Sequence, residues 1–158
     1  MTTRTPLLGV SACLWRGDAV LLVRRSRPPF ADRLSLPGGR VEFGETLAAA
    51  VAREVLEETS LIGFDLSFRR FHEAIDPDGD FHAVIAVFSG VLPADCAPMA
   101  RDDAAEISFH DIGSVAALDD LGQTTPGLAA IVAGLAPGAV AENPHPSGDP
   151  ATRSATPC

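Results

Sequence analysis

Residues 39–61 read GRVEFGETLAAAVAREVLEETSL, and their pattern is the strongest structural signal in the chain. Within this stretch Leu47, Val51 and Val55 recur at intervals of four residues, which places them on one face of a helix. We therefore predict a helix over 46–59 with this face buried.

The same predicted helix carries Glu54, Glu57 and Glu58 on one side. At about 100° per residue, the three side chains fall within an arc of roughly 100°. Like charges four residues apart repel, and the last turn of a helix disfavours anions by roughly a few tenths of a kcal/mol each. Two interpretations stay open: a solvated acidic face, or a set of oxygen ligands for Mg²⁺ or Mn²⁺, whose charge would cancel the repulsion.

The spacing around these glutamates runs Gly39, five residues, Glu45, seven residues, then REVLEETSL over 53–61. It resembles the Nudix box, GX5EX7REUXEEXGU with U aliphatic, at every defined position except Ser60, where the family has glycine. A chance match this good is on the order of one in ten thousand. The segments LLVRR, RPP, SLPGGRVEFGE, FH and TPGL are also similar to MutT/Nudix hydrolases, nearest the ADP-ribose pyrophosphatase-like subgroup, over about 7–136.

The resemblance implies an α/β fold, the Nudix α/β/α sandwich, in which a mixed β-sheet is flanked by helices. It also implies a site for Mg²⁺ or Mn²⁺ made by four residues: Glu54, Glu57 and Glu58 through their carboxylates, and Gly39 through its backbone carbonyl. Position 60 of this pattern corresponds to a left-handed residue after the helix, where an L-residue costs about 1 kcal/mol. We expect Ser60 to alter the helix end slightly and to leave metal binding intact.

The catalytic candidates implied by the resemblance are Glu54, Arg53, Glu45 and Asp103, with Glu45 and Arg53 forming a supporting ion pair. In many relatives an acidic residue before a short strand supplies a further ligand or the base. Here Asp103 is favoured over the acids at 102 and 106 by its distance from Phe109. Ordinary solvation of a loop explains any one of these acids equally well.

The candidates for substrate contact are Arg24, Arg25 and Arg27, which flank the site in sequence, and His82. The arginines could bind phosphate, or they could belong to a solvated strand end. His82 is the best of three histidines on or beside predicted strands, each of which has a structural role as its alternative interpretation.

The implied activity is metal-dependent hydrolysis of the diphosphate linkage in a nucleoside diphosphate derivative, with ADP-ribose or a nucleotide sugar as the leading substrate. The alternatives are a (d)NTP pyrophosphohydrolase that sanitises the nucleotide pool and a catalytically silent domain that senses a nucleotide. The presence of all three glutamates argues against the catalytically silent domain. The expected partner is a small-molecule nucleotide, and the oligomeric state, a homodimer included, stays open.

Other segments predict alternating strands and helices. The run PGG at 37–39 predicts irregular backbone between two short extended pieces. Five of the 13 prolines lie in the last 22 residues, so we expect a folded domain over 1–136 and a disordered tail over 137–158. The remaining predictions are strands over 7–15, 19–24, 64–75, 81–92 and 106–110, a turn over 76–80, and helices over 112–118 and 125–135.

Composition excludes several classes of function. The 158 residues carry a formal net charge of -9, which disfavours binding to polymeric nucleic acid. No run of about 18 apolar residues predicts a membrane span, and no signal peptide is recognised, so we expect a cytoplasmic protein. With no lysine in the chain a P-loop is excluded, and three scattered cysteines predict neither a disulfide framework nor a zinc site.

Overall fold

The computed structural model describes residues 5–76, 81–101 and 104–138. Within these ranges, strands and helices alternate and form the predicted α/β fold. The elements are β1 (Leu7–Arg16), β2 (Ala19–Arg25), β3 (Leu34–Ser35), β4 (Gly38–Arg40), α1 (Leu47–Thr59), β5 (Ser67–Ile75), β6 (His82–Val91), β7 (Ala104–Asp111), α2 (Ile112–Asp120) and α3 (Leu128–Gly134).

Strand β1 lies at the centre of one mixed sheet. It runs parallel to β6, from the pair of Leu7 with Ala83 to the pair of Trp15 with Val91. The strands β5 and β7 add to the sheet by antiparallel pairing with β6 and β2. The main order across the sheet is β3, β2, β1, β6, β5. Because residues 12–15 of β1 are all buried, this strand suits a central position.

The sheet forks along the other edge of β1. The end of β1 pairs with the start of β2 at two residue pairs beside the turn, whereas its residues 9–11 pair with β4. The prediction of irregular backbone through 37–39 is therefore wrong for Gly38 and Gly39, which lie in β4. Close approach requires glycine here, because a Cβ on Gly38 would meet the carbonyl oxygen of Val10 and lie 2.7 Å from Cα of Ser11.

Helices cover both faces of the sheet, as the predicted sandwich requires. Val51 and Val55 of α1 pack against one set of β1 side chains, which includes Leu14. The opposite face, which includes Trp15, packs against α2 and α3. Successive residues of a strand point to opposite faces, so β1 contributes to both cores. No helix in the described ranges is long and apolar enough to cross a membrane.

Helix α1 has defined caps at both ends. Thr46 is the N-cap, and its Oγ1 accepts a hydrogen bond from the backbone N–H of Ala49 at 3.1 Å. Ser60 follows the helix in the left-handed conformation, with φ 61° and ψ 15°. Its backbone N–H donates to the carbonyl of Leu56 at 2.9 Å. The last turn is therefore closed regularly, and the altered helix end that we expected from Ser60 is not observed.

Several predicted boundaries are corrected. Strand β5 begins at Ser67 rather than 64, because Phe64 and Leu66 pack from a loop against the core under α1. Helix α3 begins at Leu128 rather than 125, because Gly127 has a φ of 82° that a helix does not accommodate. Strand β7 is three residues longer than predicted, and helix α2 is two residues longer. Most of the predicted turn and of the predicted tail, residues 77–80 and 139–158, lies outside the described residues.

Candidate metal and substrate site

Arg53 is the centre of a hydrogen-bonded cluster on α1. Its Nε and Nη2 donate to the two carboxylate oxygens of Glu45 at 2.8 and 3.0 Å. Its Nη1 donates to Glu54 at 2.8 Å and to Glu57 at 3.2 Å, and Nη2 also donates to the backbone carbonyl of Arg40 at 3.0 Å. These five bonds match the five donors of a guanidinium. Arg53 therefore fixes three carboxylates relative to the backbone of β4.

The two carboxylates closest to Arg53 differ in their proton affinity. Hydrogen bonds from Arg53 are the main reason that the pKa of Glu45 lies below its ordinary value. Burial raises the pKa of Glu54, and this effect outweighs the hydrogen bond from the same guanidinium. Glu45 therefore stays ionised more readily and is suited to hold the Arg53 cation, whereas Glu54 takes up a proton more readily than Glu45 does.

Gly39 leaves the space that the Glu54 carboxylate occupies. A Cβ on Gly39 would lie 2.6 Å from Oε2 and 2.5 Å from Cδ of Glu54. The residue pairs with Val10 of β1, so its position is set by the sheet. The absence of a side chain at Gly39 is thus what allows the main chain of β4 and the Glu54 carboxylate to come together.

Glu58 and Glu57 have different surroundings. Glu58 is buried, and its Oε2 accepts a hydrogen bond from the backbone N–H of Gly38 at 2.9 Å, which ties α1 to β4. The side chain of Glu57 is 45 % exposed and contacts Arg53 from the neighbouring turn. Glu58 is therefore a structural contact as well as a candidate ligand.

The candidate ligands suit a hard divalent cation in type. Carboxylates and a main-chain carbonyl are the oxygen donors that Mg²⁺ and Mn²⁺ prefer, and the cradle at Gly39 brings the Glu54 carboxylate against the main chain. Within residues 5–76, 81–101 and 104–138, however, no group of three His, Cys, Asp or Glu side chains is arranged as a finished metal site. Arg53 and the N–H of Gly38 hold these carboxylates instead, so a cation would have to compete with them.

A cavity of about 220 Å³ borders the same strand. Gly38, Gly39 and Arg40 of β4 form one part of its wall. The rings of Phe30 and Phe81 form another part and meet edge to face, with their centroids 5.6 Å apart. Most of the remaining lining is apolar, and it includes residues 7–11 of β1, Ala83 and Ile85 of β6, and Leu128 and Ile131 of α3. The cavity therefore extends away from the carboxylates into the core beneath α3.

The three arginines predicted to contact substrate lie in different places. Arg25 lines the cavity, and its Nε donates to the carbonyl of Pro29 at 2.9 Å, which closes the start of the loop that follows β2. Arg24 instead forms an ion pair with Glu106 at 3.0 Å. Neither Arg24 nor Arg27 belongs to the described lining of the cavity.

Among the histidines, His72 lines the cavity, whereas His82 is not part of its described lining. The register of β5 and β6 pairs His72 with Ile85, which also lines the cavity, and pairs His82 with Ile75 at the end of the hairpin. Sequence reasoning missed His72 because nothing local showed which side of the sheet it faces. Asp103, the predicted distal acid, lies outside the described residues.

Comparison with known proteins gives the following matches. The model of the NUDIX domain matches residues 5–130. The ADP-ribose pyrophosphatase of Methanocaldococcus jannaschii is 35 % identical over 115 residues, which are 70 % of this chain and 64 % of that protein. The putative 8-oxo-dGTP diphosphatase 2 of Mycobacterium tuberculosis H37Rv is 49 % identical over 59 residues, which are 37 % of this chain and 42 % of that protein.

A solved structure of a bifunctional NMN adenylyltransferase/ADP ribose pyrophosphatase from Francisella tularensis, complexed with AMP and a Mn ion, superposes with a TM-score of 0.69. The sequence identity is 25 %, and the match covers 85 % of this chain and 42 % of that one. The chain thus spans less than two thirds of the length of each of these three relatives.

Proposed function

The chain belongs to the NUDIX family, and from this premise we propose that it hydrolyses the diphosphate linkage of a nucleoside diphosphate derivative. ADP-ribose or a related nucleotide sugar is the leading substrate, because the relative that aligns with 70 % of the chain is an ADP-ribose pyrophosphatase. The proposed cofactor is Mg²⁺ or Mn²⁺, the partner is a small nucleotide, and the location is the cytoplasm.

The observation that carries this proposal is the position of the Glu54 carboxylate in the space left by Gly39. A partly buried carboxylate beside glycine main chain, at the edge of a cavity, is not needed for a stable helix, since its partial burial raises the cost of its charge. A bound cation would offset that cost. The adjoining cavity then has room for the part of a substrate that lies beyond its phosphates.

In the proposed mechanism, four residues would hold the cation: Glu54, Glu57 and Glu58 through their carboxylates, and Gly39 through its carbonyl. When bound, Mg²⁺ or Mn²⁺ supplies polarisation of the phosphoryl oxygens and a lowered pKa for a coordinated water. Glu45 contributes by keeping Arg53 in place, because its bidentate pair restrains the guanidinium at two points. Arg53 in turn holds Glu54 and Glu57 at the same site.

As a ligand of a bound cation, the carboxylate of Glu54 would be held as an anion, and the cation would offset the burial that raises its pKa. The proton of the attacking water therefore needs an acceptor outside these ligands, and Asp103 is the candidate for this role by family resemblance. Arg24, Arg25, Arg27 and His82 remain candidates for substrate contact. Of these four, Arg25 has structural support because it lines the cavity.

A nucleotide-pool sanitising activity is the second candidate function. It is favoured by the 49 % identity to the putative 8-oxo-dGTP diphosphatase over 59 residues. Both candidates use the same carboxylates, since the cation recognises a diphosphate that all these substrates share. The choice between them depends on the cavity, where the substrates differ.

A substrate panel tests the proposal. ADP-ribose, nucleotide sugars, ordinary dNTPs and 8-oxo-dGTP are incubated with Mg²⁺ or Mn²⁺, and the phosphate products are identified. We expect ADP-ribose to yield AMP and ribose 5-phosphate with a higher kcat/KM than any triphosphate. A dNTP that is preferred tenfold would establish the sanitising activity instead, and no cleavage with either metal would favour a silent sensor. With the preferred substrate, Glu57→Gln is expected to lose most turnover, and Glu73→Gln, which removes an exposed acid of β5, is the matched control expected to keep it.

A further inference from the structure

The cavity contains two polar atoms without partners. Within the described residues, four buried side-chain atoms make no hydrogen bond: Nε1 of Trp15, Oγ of Ser35, Nε2 of His72 and Nε2 of His82. Of these residues, Ser35 and His72 line the cavity that borders β4. Leaving a buried donor or acceptor unpaired is costly, and most such groups in folded proteins are satisfied. Two of them in one largely apolar cavity are explained by a bound molecule that supplies the missing partners.

The sheet register connects His72 to the strand that carries the candidate metal site. Arg40 of β4 pairs with Gly9 of β1, Gly9 pairs with Ile85 of β6, and Ile85 pairs with His72 of β5. All four residues line the cavity. Three strand spacings of about 4.8 Å place the backbone of His72 about 14 Å from that of Arg40. This row of paired residues runs along the cavity from β4, which borders the candidate metal site, to β5 on the far side.

We propose that His72 and Ser35 bind the polar edge of the substrate's nucleobase and so determine specificity. The proposal deepens the proposed function and rests on it, because it assumes that the phosphates of the substrate lie at Gly39. The imidazole Nε2 donates or accepts according to its tautomer, and the Ser35 hydroxyl does both. Together they can match a base edge that presents a donor beside an acceptor.

The lining of the cavity favours a base over a charged group. Beyond Arg25 and Arg40 the walls are largely aliphatic and aromatic, and burying a phosphate there would be costly. The rings of Phe30 and Phe81 offer a surface for a flat heterocycle. The volume of about 220 Å³ is below the roughly 300–1,000 Å³ usual for a complete small ligand, which suits one end of a nucleotide.

Gly127 is the positioning residue for His72. A Cβ on Gly127 would lie 2.6 Å from Cε1 and 2.9 Å from Nε2 of the imidazole, so the glycine main chain packs directly against the ring. The φ of 82° at Gly127 also favours glycine. The start of α3 therefore fixes the orientation of the ring that faces the cavity.

The test measures binding of AMP, GMP, CMP and UMP, none of which contains a diphosphate linkage, in the presence of Mg²⁺ by isothermal titration calorimetry. The tightest binder is then measured against His72→Phe, which keeps a ring without its nitrogens, and Ser35→Ala. We expect each variant to weaken binding about 3- to 10-fold, the loss typical of one hydrogen bond. Ribose 5-phosphate, which has no base, is expected to bind all variants equally.

Two further variants sharpen the test. His110→Phe makes the same replacement on β7, outside the described lining, and is expected to leave nucleotide binding unchanged. Gly127→Ala is expected to weaken binding in the wild-type background and to have no further effect when combined with His72→Ala, where no ring is left to displace. In turnover, His72→Phe is expected to raise KM more than it lowers kcat.

Unchanged nucleotide affinity in His72→Phe and Ser35→Ala would overturn the inference, as would an equal loss of ribose 5-phosphate binding, which would place the sugar in the cavity. Absence of binding of all four nucleotides to the wild-type protein would overturn it as well. The proposed function fails separately, if the wild-type enzyme cleaves no diphosphate with either metal while the His72-dependent nucleotide binding persists.

Discussion

Replacing Gly39 by alanine is expected to remove activity without unfolding the protein. The new Cβ would lie 2.6 Å from Oε2 and 2.5 Å from Cδ of Glu54. Ordinary contact begins at about 3.5 Å, so the carboxylate would retreat by about 1 Å. A misplacement of about 1 Å in a catalytic group costs on the order of 100-fold in rate. We therefore expect kcat/KM for ADP-ribose to fall about 100-fold and the affinity for Mn²⁺ to fall about 10- to 100-fold.

The stability of Gly39→Ala is expected to change little. The displaced group is the end of a flexible side chain, and Gly39 is not among the described glycines with positive φ. A change from glycine to alanine at a compatible position can even stabilise the folded protein by about 0.4–1 kcal/mol, because it lowers the conformational entropy of the unfolded chain. The neighbouring variant Gly38→Ala is the contrasting control, because its Cβ would meet the backbone of Val10 and Ser11, which cannot move aside cheaply.

The assay combines urea unfolding of the metal-free protein, calorimetric titration with Mn²⁺, and turnover of ADP-ribose. The expected pattern is a folded, inactive Gly39→Ala variant and a destabilised Gly38→Ala variant. Wild-type Mn²⁺ affinity and turnover in a folded Gly39→Ala protein would refute the role of this contact.

Glu57→Gln should abolish most turnover while changing the free energy of unfolding by less than about 0.5 kcal/mol, because the pair of Glu57 with Arg53 is half exposed. Urea unfolding curves measure the stability and turnover rates measure the activity. Normal turnover would remove Glu57 from the candidate ligands. Thr46→Ala should cost about 1 kcal/mol through loss of the N-cap bond of α1, measured by urea unfolding, with Thr46→Ser as the control expected to keep it. The pKa of Asp111 is lowered chiefly by the hydrogen bond that its carboxylate accepts from the backbone N–H of Ser114. The contribution of this bond to stability is therefore complete above the pKa of Asp111 in the unfolded chain and is lost as the pH falls through its pKa in the folded protein. A wild-type protein that loses no more stability than Asp111→Ala between pH 7 and pH 3 would contradict this. Removal of 137–158 should leave the melting temperature and activity nearly unchanged, since this segment has little apolar surface to bury, and a loss of several degrees would show that it packs on the domain.

The local features of α1 could be predicted from the sequence. The four-residue spacing of apolar side chains marks its buried face, and Thr46 and Ser60 occupy the cap positions at its ends. These signals depend on neighbours within one or two turns, so they are readable without knowledge of the fold. The α/β class follows from the same kind of local pattern in the strands.

Features that depend on distant pairing could not be read in this way. Strand β4 forms because Gly38 and Gly39 pair with β1. The turn-like sequence around these glycines does not show that their partner strand lies nearly thirty residues earlier in the chain. The choice of His82 over His72 has a similar origin. A register irregularity between Phe68 and Arg70 offsets the pairing of β5, and a shift of one residue exchanges the faces of a strand.

The parallel pairing of β1 with β6 has a consequence for biosynthesis. Leu7 at the start of the central strand finds its partner only at Ala83, and β2 finds its longer partner only at β7. Since β1 and β2 pair with each other at just two residue pairs, the first apolar strands emerge from the ribosome long before most of their hydrogen bonds can form. Such non-local topology slows folding and leaves apolar segments exposed meanwhile. The apolar side chains of the nascent N-terminal strands are therefore expected to stay exposed until β6 and β7 have been synthesised.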